Sequence, residues 1–139
     1  KISGKEIEPS VNEYYIGQKQ PYNVSQYILK VKNKKEFQKS SGILVSTPAG
    51  STAWTRGVGG KILPLQSKQF QYVVREPYHG KLTKTIMHKG ILKPGDKVVI
   101  IPKNEDTIVV ADALGREHHI IKGTKIEITM STRPVYIVV

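Results

Sequence analysis

With 139 residues, of which 38% are hydrophobic, the chain is long enough to bury one core and too apolar to be a disordered segment. It contains no cysteine, which excludes disulfides and thiolate metal sites. The formal net charge of +11, from 22 Lys and Arg against 11 Asp and Glu, predicts an anionic partner or an anionic neighbouring surface.

Membrane and metal partners are not expected from the sequence. No apolar run approaches the length of a membrane span, and residues 1–10 lack the apolar core of a signal peptide. We therefore expect a soluble protein, cytoplasmic or alternatively mitochondrial. The histidines lack ligand spacing with carboxylates, which predicts no metal site from His79, His88, His118 and His119.

Short segments rich in β-branched and aromatic residues predict strands along the whole chain. In chain order these segments are 10–16, 26–31, 43–45, 70–75, 97–101, 107–111, 120–121, 125–129 and 135–139. Turn residues separate them, among them Asn33, Pro77, Gly95 and Gly123. Many short strands at this spacing favour one all-β domain over residues 1–139, an antiparallel fold of sandwich type.

Helices contribute little to the predicted fold. No long stretch has a helical period, so we expect at most one or two short helices. The best candidate covers residues 53–56, with Ser51 or Thr52 as its N-cap.

The stretch 42–60 joins a strand pattern to a dense group of glycine and hydroxyl residues. After Ile43-Leu44-Val45 come Ser46, Thr47, Pro48, Gly50, Ser51 and Thr52. Glycine lets a backbone approach a ligand closely, and hydroxyl and amide groups bind phosphate and ribose oxygens. The composition is therefore typical of a nucleotide-binding loop, although a structural turn has similar residues.

The same stretch resembles a sequence block of the NAD kinases. Residues 41–54, Ser-Gly-Ile-Leu-Val-Ser-Thr-Pro-Ala-Gly-Ser-Thr-Ala-Trp, followed by Gly59-Gly60, are similar to the family's Asp-Gly…Ser-Thr-Pro-(Thr/Ser)-Gly-Ser-Thr-Ala-Tyr…Gly-Gly. Val11-Asn12-Glu13-Tyr14 is similar to its Ala-Leu-Asn-Glu-Val segment, and residues 110–116 to its late Val-x-x-Asp-Gly turn. The resemblance implies the largely β C-terminal domain of such an enzyme.

The resemblance also implies what the enzyme does. NAD kinases transfer the γ-phosphoryl group of ATP, or another phosphate donor, to the 2′-hydroxyl of the adenosine ribose of NAD, giving NADP, with Mg²⁺ bridging the phosphates. It further implies a homo-oligomer, a dimer or tetramer, in which the dinucleotide site is completed across a subunit interface.

The implied NAD-binding residues come from three segments of the chain: Asn12, Glu13, Ser41, Ser51, Thr52, Ala53, Trp54, Gly57 and, at the late turn, Asp112. Asn12 would bind a base edge, Glu13 a ribose hydroxyl, and Trp54, where the family usually has Tyr, would pack on a ring. Residue type alone, without the resemblance, supports a simpler interpretation. Asn12-Glu13 is then a turn or solvent-facing pair, Trp54 is a core residue, Ser51 is an N-cap and Asp112 is a turn former.

Two departures from the family pattern bear on function. Ser41 replaces the family's Asp, which the resemblance places at the dinucleotide of a neighbouring subunit, so charge is lost and the choice between NAD and NADH is open. Residues 38–42, Gln-Lys-Ser-Ser-Gly, look like a mitochondrial-type branch. The Gly-Gly-Asp-Gly-Thr motif of the family's N-terminal α/β domain is not found, so the catalytic residues are expected in that domain and none in this chain.

An alternative interpretation is a non-catalytic β module that binds an anionic ligand or nucleic acid through its positive charge. Aromatic residues make up only 7% of the chain, and the tyrosines near the N-terminus alternate with aliphatic residues as strand faces do. Binding of single-stranded nucleic acid usually needs aromatic side chains among the cations. Nucleic acid is therefore disfavoured as a partner, and a dinucleotide is preferred.

Overall fold

A computed structural model of the chain describes residues 1–80, 84–113 and 115–136. Ten strands lie within these ranges: β1 Glu13–Gln18, β2 Ser25–Val31, β3 Lys34–Ser40, β4 Ile43–Ser46, β5 Phe70–Val74, β6 Lys89–Leu92, β7 Val98–Pro102, β8 Thr107–Ala111, β9 Glu117–Ile120 and β10 Ile126–Ile128. A 3₁₀ turn covers Ala49–Thr52 and one short helix, α1, covers Trp54–Gly57. No helix in the described part of the chain is long and apolar enough to cross a bilayer.

The strands form two antiparallel sheets. A six-stranded sheet has the order β6-β5-β4-β1-β8-β9, and a four-stranded sheet has the order β10-β7-β2-β3. Both sheets contribute to one apolar cluster, with Ile16, Ile43 and Val109 from the first and Leu29 and Ile100 from the second. The prediction of an all-β, antiparallel, sandwich-like fold with short helices is confirmed.

A polypeptide segment also covers the outer face of the six-stranded sheet. Leu44 and Val73 are direct cross-strand partners on the face opposite the core, yet both are buried. Residues 47–63 lie over this face, since Trp54 stacks on Tyr15 and the amide of Lys61 donates a hydrogen bond to Gln71 Oε1 at 2.9 Å. This covering segment carries the glycine- and hydroxyl-rich loop.

Some predicted elements differ from the structure. Strands β3 and β6 were not expected, because their sequences KKEFQKS and KGIL have no clear apolar alternation. Segment 10–16 becomes a strand only from Glu13, and residues 135 and 136 are outside any strand, while 137–139 lie outside the described residues. The N-cap prediction for α1 is wrong, since Ala53 occupies that position with no side-chain cap.

Candidate functional site

The loop after β4 is attached to the backbone of Asn12, just before β1. Ser46 pairs with Glu13 at the shared end of the two strands. Thr47 then donates to the Asn12 carbonyl oxygen from its amide at 2.9 Å and from its hydroxyl at 3.2 Å. A Cβ on Gly50 would lie 2.5 Å from the carbonyl carbon of Asn12. Only glycine permits this approach, so the loop and the Asn12-Glu13 segment form one unit.

Within the loop, Ser51 faces inward and its neighbours face outward. Ser51 is fully buried, and its hydroxyl donates to Pro48 O at 2.6 Å and accepts from Leu63 N at 2.9 Å. Its hydroxyl therefore holds the loop against the covering segment and is engaged within the protein. Thr52 and Ala53 are exposed, as are Trp54 and Gly57 in α1.

Trp54 stacks on Tyr15 of the sheet, and Arg75 lies beside both rings. Its ring lies 5.5 Å from that of Tyr15 with an interplanar angle of 24°. The guanidinium carbon of Arg75 lies 4.9 Å from the Trp54 centroid and 5.8 Å from that of Tyr15. Burial raises the pKa of Tyr15, although Arg75 opposes the shift. The stack thus presents an exposed aromatic ring with a cation held beside it.

An open cleft of about 390 Å³ lies beside this stack. It is lined by Tyr15, Gln18, Lys19, Gln20, Pro21, Asn23, Ser41, Trp54, Arg75 and Glu76. Arg75 Nη1 donates to the Ser41 carbonyl oxygen at 3.2 Å, and the Ser41 hydroxyl donates to Glu76 Oε2 at 3.1 Å. The cleft therefore combines an aromatic face with two cations and one carboxylate. Ser41 and Trp54 of one chain line this same cleft, whereas the resemblance places Ser41 at the dinucleotide of a neighbouring subunit.

Asp112 organises the backbone that carries Asn12 and Glu13. Its carboxylate accepts from the Ser10 hydroxyl at 2.6 Å and from the amides of Val11, Asn12 and Glu13 at 2.9, 2.6 and 3.2 Å. Partial burial disfavours ionisation, but these hydrogen bonds outweigh it and hold the pKa of Asp112 below its usual value. The residue adopts φ of 54° in the turn after β8, so it is a turn former that also positions the site.

Glu13 is held in a contrasting environment. The residue is only 6% exposed, and burial, reinforced by the negative charge of Asp112, raises the pKa of its carboxyl group. Its cross-strand neighbours are Ser46 on β4 and, beyond β4, Gln71 on β5. Asn12 is half-buried at the start of this polar row. Glu13, Ser46 and Gln71 are all buried, so this row lies beneath the covering segment.

Sequence patterns did not identify Tyr15 or Arg75 as site residues, and they did not predict the packing role of Gly50. Tyr15 and Arg75 lie in predicted strands, and period-two alternation places Tyr15 on the same face as Glu13, which was the available signal. Nothing local indicates that Arg75 reaches Trp54. Among the described residues, no group of three His, Asp or Glu side chains is arranged as metal ligands.

The Asp112 carboxylate gives a first prediction. Asp112→Asn keeps the shape and tolerates the positive φ, yet loses the charge that four donors share, so we expect the free energy of unfolding at pH 7 to fall by about 2–4 kcal/mol. Because the pKa is lowered in the folded state, the contribution is complete above the unfolded pKa and disappears as pH falls through the folded pKa.

Denaturant unfolding of both proteins between pH 7 and pH 2 measures this. Asp106→Asn is the matched control, because Asp106 also has a positive φ, 61°, and is exposed. A gap between Asp112→Asn and the unmodified protein that stays constant down to the lowest pH would contradict the assigned role.

Comparison with known proteins identifies the family of this chain. Residues 11–139 match the family described as the ATP-NAD kinase C-terminal domain. The chain is 37% identical over 92 residues to a probable NADH kinase of Oryza sativa subsp. japonica, covering 66% of this chain and 28% of the relative. It is 33% identical over 97 residues to an NADH kinase of Arabidopsis thaliana, covering 70% and 30%.

Two solved structures share the fold. An NAD kinase from Archaeoglobus fulgidus in complex with ATP superposes with a TM-score of 0.71 at 20% identity, over 87% of this chain and 45% of that one. Yeast NADH kinase complexed with NADH gives 0.74 at 15% identity, over 92% and 36%. From its fold and its match over residues 11–139, the chain belongs to the ATP-NAD kinase C-terminal domain family.

Proposed function

We propose that this chain is the dinucleotide-binding part of an NAD kinase, which transfers the γ-phosphoryl group of ATP to the 2′-hydroxyl of the adenosine ribose. The observation that carries the proposal is the attachment of the loop to Asn12 through Gly50, which leaves Thr52, Ala53 and Trp54 exposed beside Glu13. A purely structural turn would not need an exposed backbone and an exposed aromatic ring beside the polar end of a strand, whereas a ligand-binding loop would.

Each site residue has a proposed role. Asn12 binds a base edge and Glu13 a ribose hydroxyl, while the backbone of Thr52 and Ala53 approaches the ligand and Trp54 stacks on a ring. Ser51 and Asp112 position the loop and the Asn12-Glu13 backbone. Gly57, at the end of α1, and Ser41, in the cleft, complete the proposed binding surface.

The chemical step belongs to the rest of the enzyme. The chain spans 28% and 30% of the two plant relatives, so the proposed active enzyme includes a further domain that supplies the catalytic residues. We assign Mg²⁺ with ATP to the remainder of the enzyme, and this chain by itself binds the dinucleotide without transferring phosphate.

Charge in the cleft favours the reduced dinucleotide as substrate. The oxidised nicotinamide ring is cationic and the reduced ring is neutral. Lys19 is ion-paired with Glu117 at 3.2 Å and Ser41 contributes no charge, so the cation that a ring stacked on Trp54 would meet is Arg75, 4.9 Å from the Trp54 centroid. Two relatives are named NADH kinases, which supports the same preference. We infer that NADH is used in preference to NAD.

A homo-oligomer through the cleft end of the molecule is part of the proposal. Tyr22 is 81% exposed, and Val24 and Tyr78 are also exposed. Val24 precedes β2 and Tyr78 bonds to Lys39 near the end of β3, so these side chains surround Ser41. A second copy covering them would complete the dinucleotide site. Light scattering should give a dimer or tetramer, and a strict monomer at high micromolar concentration contradicts it.

Asn12→Ala in the full-length protein tests the dinucleotide site. We expect dinucleotide affinity to fall about 2- to 12-fold in calorimetric titration, because one hydrogen bond is worth about 0.5–1.5 kcal/mol. Lys34→Ala, in the β2–β3 hairpin, is the control and should change affinity much less. The alternative, a β module that binds anions by charge, predicts the opposite order, with a larger loss of affinity in Lys34→Ala than in Asn12→Ala. A lower melting temperature with unchanged affinity in Asn12→Ala would make the loop a scaffold.

A further inference from the structure

The outer face of the four-stranded sheet has an ordered pattern that dinucleotide binding does not use. Along β2, core residues alternate with Gln26, Ile28 and Lys30, which point away from the core and are half-buried. Ile101 and Phe37 are the direct neighbours of Ile28 on β7 and β3. These three form an apolar row across the sheet.

Cations lie on both sides of the apolar row. On one side Lys30 pairs directly with Lys35, and on the other Gln26 pairs with Lys39. The amide of Lys103 bonds to Gln26 O, which places Lys103 at the end of the second row. Adjacent rows on one face are two residues apart along a strand, about 6.6 Å. The face is therefore an apolar stripe with a row containing two lysines about 7 Å away on each side. The Lys30 row ends at Glu127, which lies beyond Val99 on β10 and is ion-paired with Lys125 at 2.7 Å.

The sequence keeps this charge at a cost to stability. Like charges directly opposite each other in a sheet, as in Lys30 and Lys35, are destabilising. Within the described ranges, no carboxylate forms an ion pair with Lys30, Lys35, Lys39 or Lys103. The nearest acid in β3, Glu36, instead accepts hydrogen bonds from the amides of Ile86 and Met87. The cations of the face thus remain available to an external anion.

Coil segments already bond to part of each edge of this sheet, which limits strand addition by a partner. The β3 edge already bonds to coil, where Tyr78 N donates to Lys39 O at 2.7 Å. The β10 edge does the same, with Ser3 N bonding to Lys125 O and Glu127 N to Lys1 O. The face itself offers a partner side chains in which apolar and charged groups alternate by row.

We propose that this face docks an acidic surface of another protein, with an apolar centre over Ile28, Phe37 and Ile101 and carboxylates over the two basic rows. Charge complementarity selects the occupant. A second copy bound symmetrically would bring lysine against lysine. Phe37 is the one aromatic side chain among the strand residues of this face, whereas a single-stranded nucleic acid needs several for stacking. The Lys30–Lys35 pair is at the opposite end of β2 from the dinucleotide cleft, whereas Gln26 and Lys39 lie at the cleft end.

Charge reversal at one lysine of the pair separates binding from folding. Lys30→Glu or Lys35→Glu converts the like-charge pair into an opposite-charge pair, so the melting temperature should rise while anion binding falls. The probe is a fluorescent 20-residue peptide of glutamate with interspersed leucine, titrated against the full-length protein by anisotropy. We expect affinity to fall at least fivefold in each variant and to weaken with salt.

Lys61→Glu, with the same change of net charge on the opposite side of the molecule, is the matched control and should alter affinity less than twofold. Phe37→Ser should weaken peptide binding without changing its salt dependence. Dinucleotide affinity, measured in parallel, should be unchanged in Lys30→Glu, Lys35→Glu and Phe37→Ser, so a failure here is distinct from a failure of the proposed kinase function.

Four results would overturn the proposal. Equal losses in Lys30→Glu and Lys61→Glu would mean non-specific charge attraction, and no loss in either hairpin variant would mean that the face is not used. Tighter binding of polyuridine through the same lysines would assign the face to RNA. Protection of these lysines from acetylation in the full-length protein without peptide would show that its own chain or a second copy covers the face.

Discussion

Gly50→Ala should remove most of the dinucleotide affinity and destabilise the protein at the same time. The added methyl group would lie 2.5 Å from the carbonyl carbon and 2.8 Å from the Cα atom of Asn12, and neither backbone atom can rotate away. Overpacking of this kind costs about 1–3 kcal/mol or more. The clash would separate the loop from Asn12 and so displace both parts of the proposed site. We therefore expect dinucleotide affinity to fall at least about tenfold.

Denaturant unfolding and calorimetric titration of the full-length protein measure both effects. Gly57→Ala is the matched control for stability, because a Cβ at Gly57 meets no atom within 4 Å, and alanine favours the helix that this residue ends. Unchanged stability and affinity in Gly50→Ala would show that the close approach of loop and strand is not needed.

Arg75→Met should reverse much of the preference for the reduced dinucleotide. Methionine keeps the length of the side chain against Trp54 but removes the charge that lies 4.9 Å from its ring centroid. Two charges at about 6 Å interact by roughly 2–3 kcal/mol at an effective dielectric constant near 20, and solvent in an open cleft reduces this. We expect the NADH-to-NAD ratio of kcat/KM to fall about tenfold, mainly through better use of NAD.

Two variants in the same cleft give opposite expectations. Ser41→Asp adds a carboxylate and should lower the ratio as Arg75→Met does, whereas Glu76→Gln removes one and should raise it. Steady-state kinetics of the full-length enzyme with both dinucleotides, at low and moderate salt, gives the ratios. Parallel changes in NADH and NAD use would mean that Arg75 supports the stack sterically and does not sense ring charge.

Part of the fold follows from local patterns. The alternation of Tyr27, Leu29 and Val31 predicts β2, and the apolar runs at 43–45 and 107–111 predict β4 and β8, because burial on one or both faces needs those residues wherever the partner strand lies. Strand β3 has no such pattern. Its pairing with β2 through the Lys32-Asn33 turn makes it a strand despite its lysines.

The candidate site also has features that local sequence predicts and contacts that it does not predict. Local sequence predicts a glycine- and hydroxyl-rich loop after a buried strand, because the residue types needed for tight turns and close backbone approach are adjacent in the chain. Three contacts follow from the folded arrangement instead: Ser51 faces inward, Asp112 binds the amide of Asn12 across 100 residues, and Arg75 reaches Trp54. These contacts join segments that no local period relates, so their geometry depends on strand order and register.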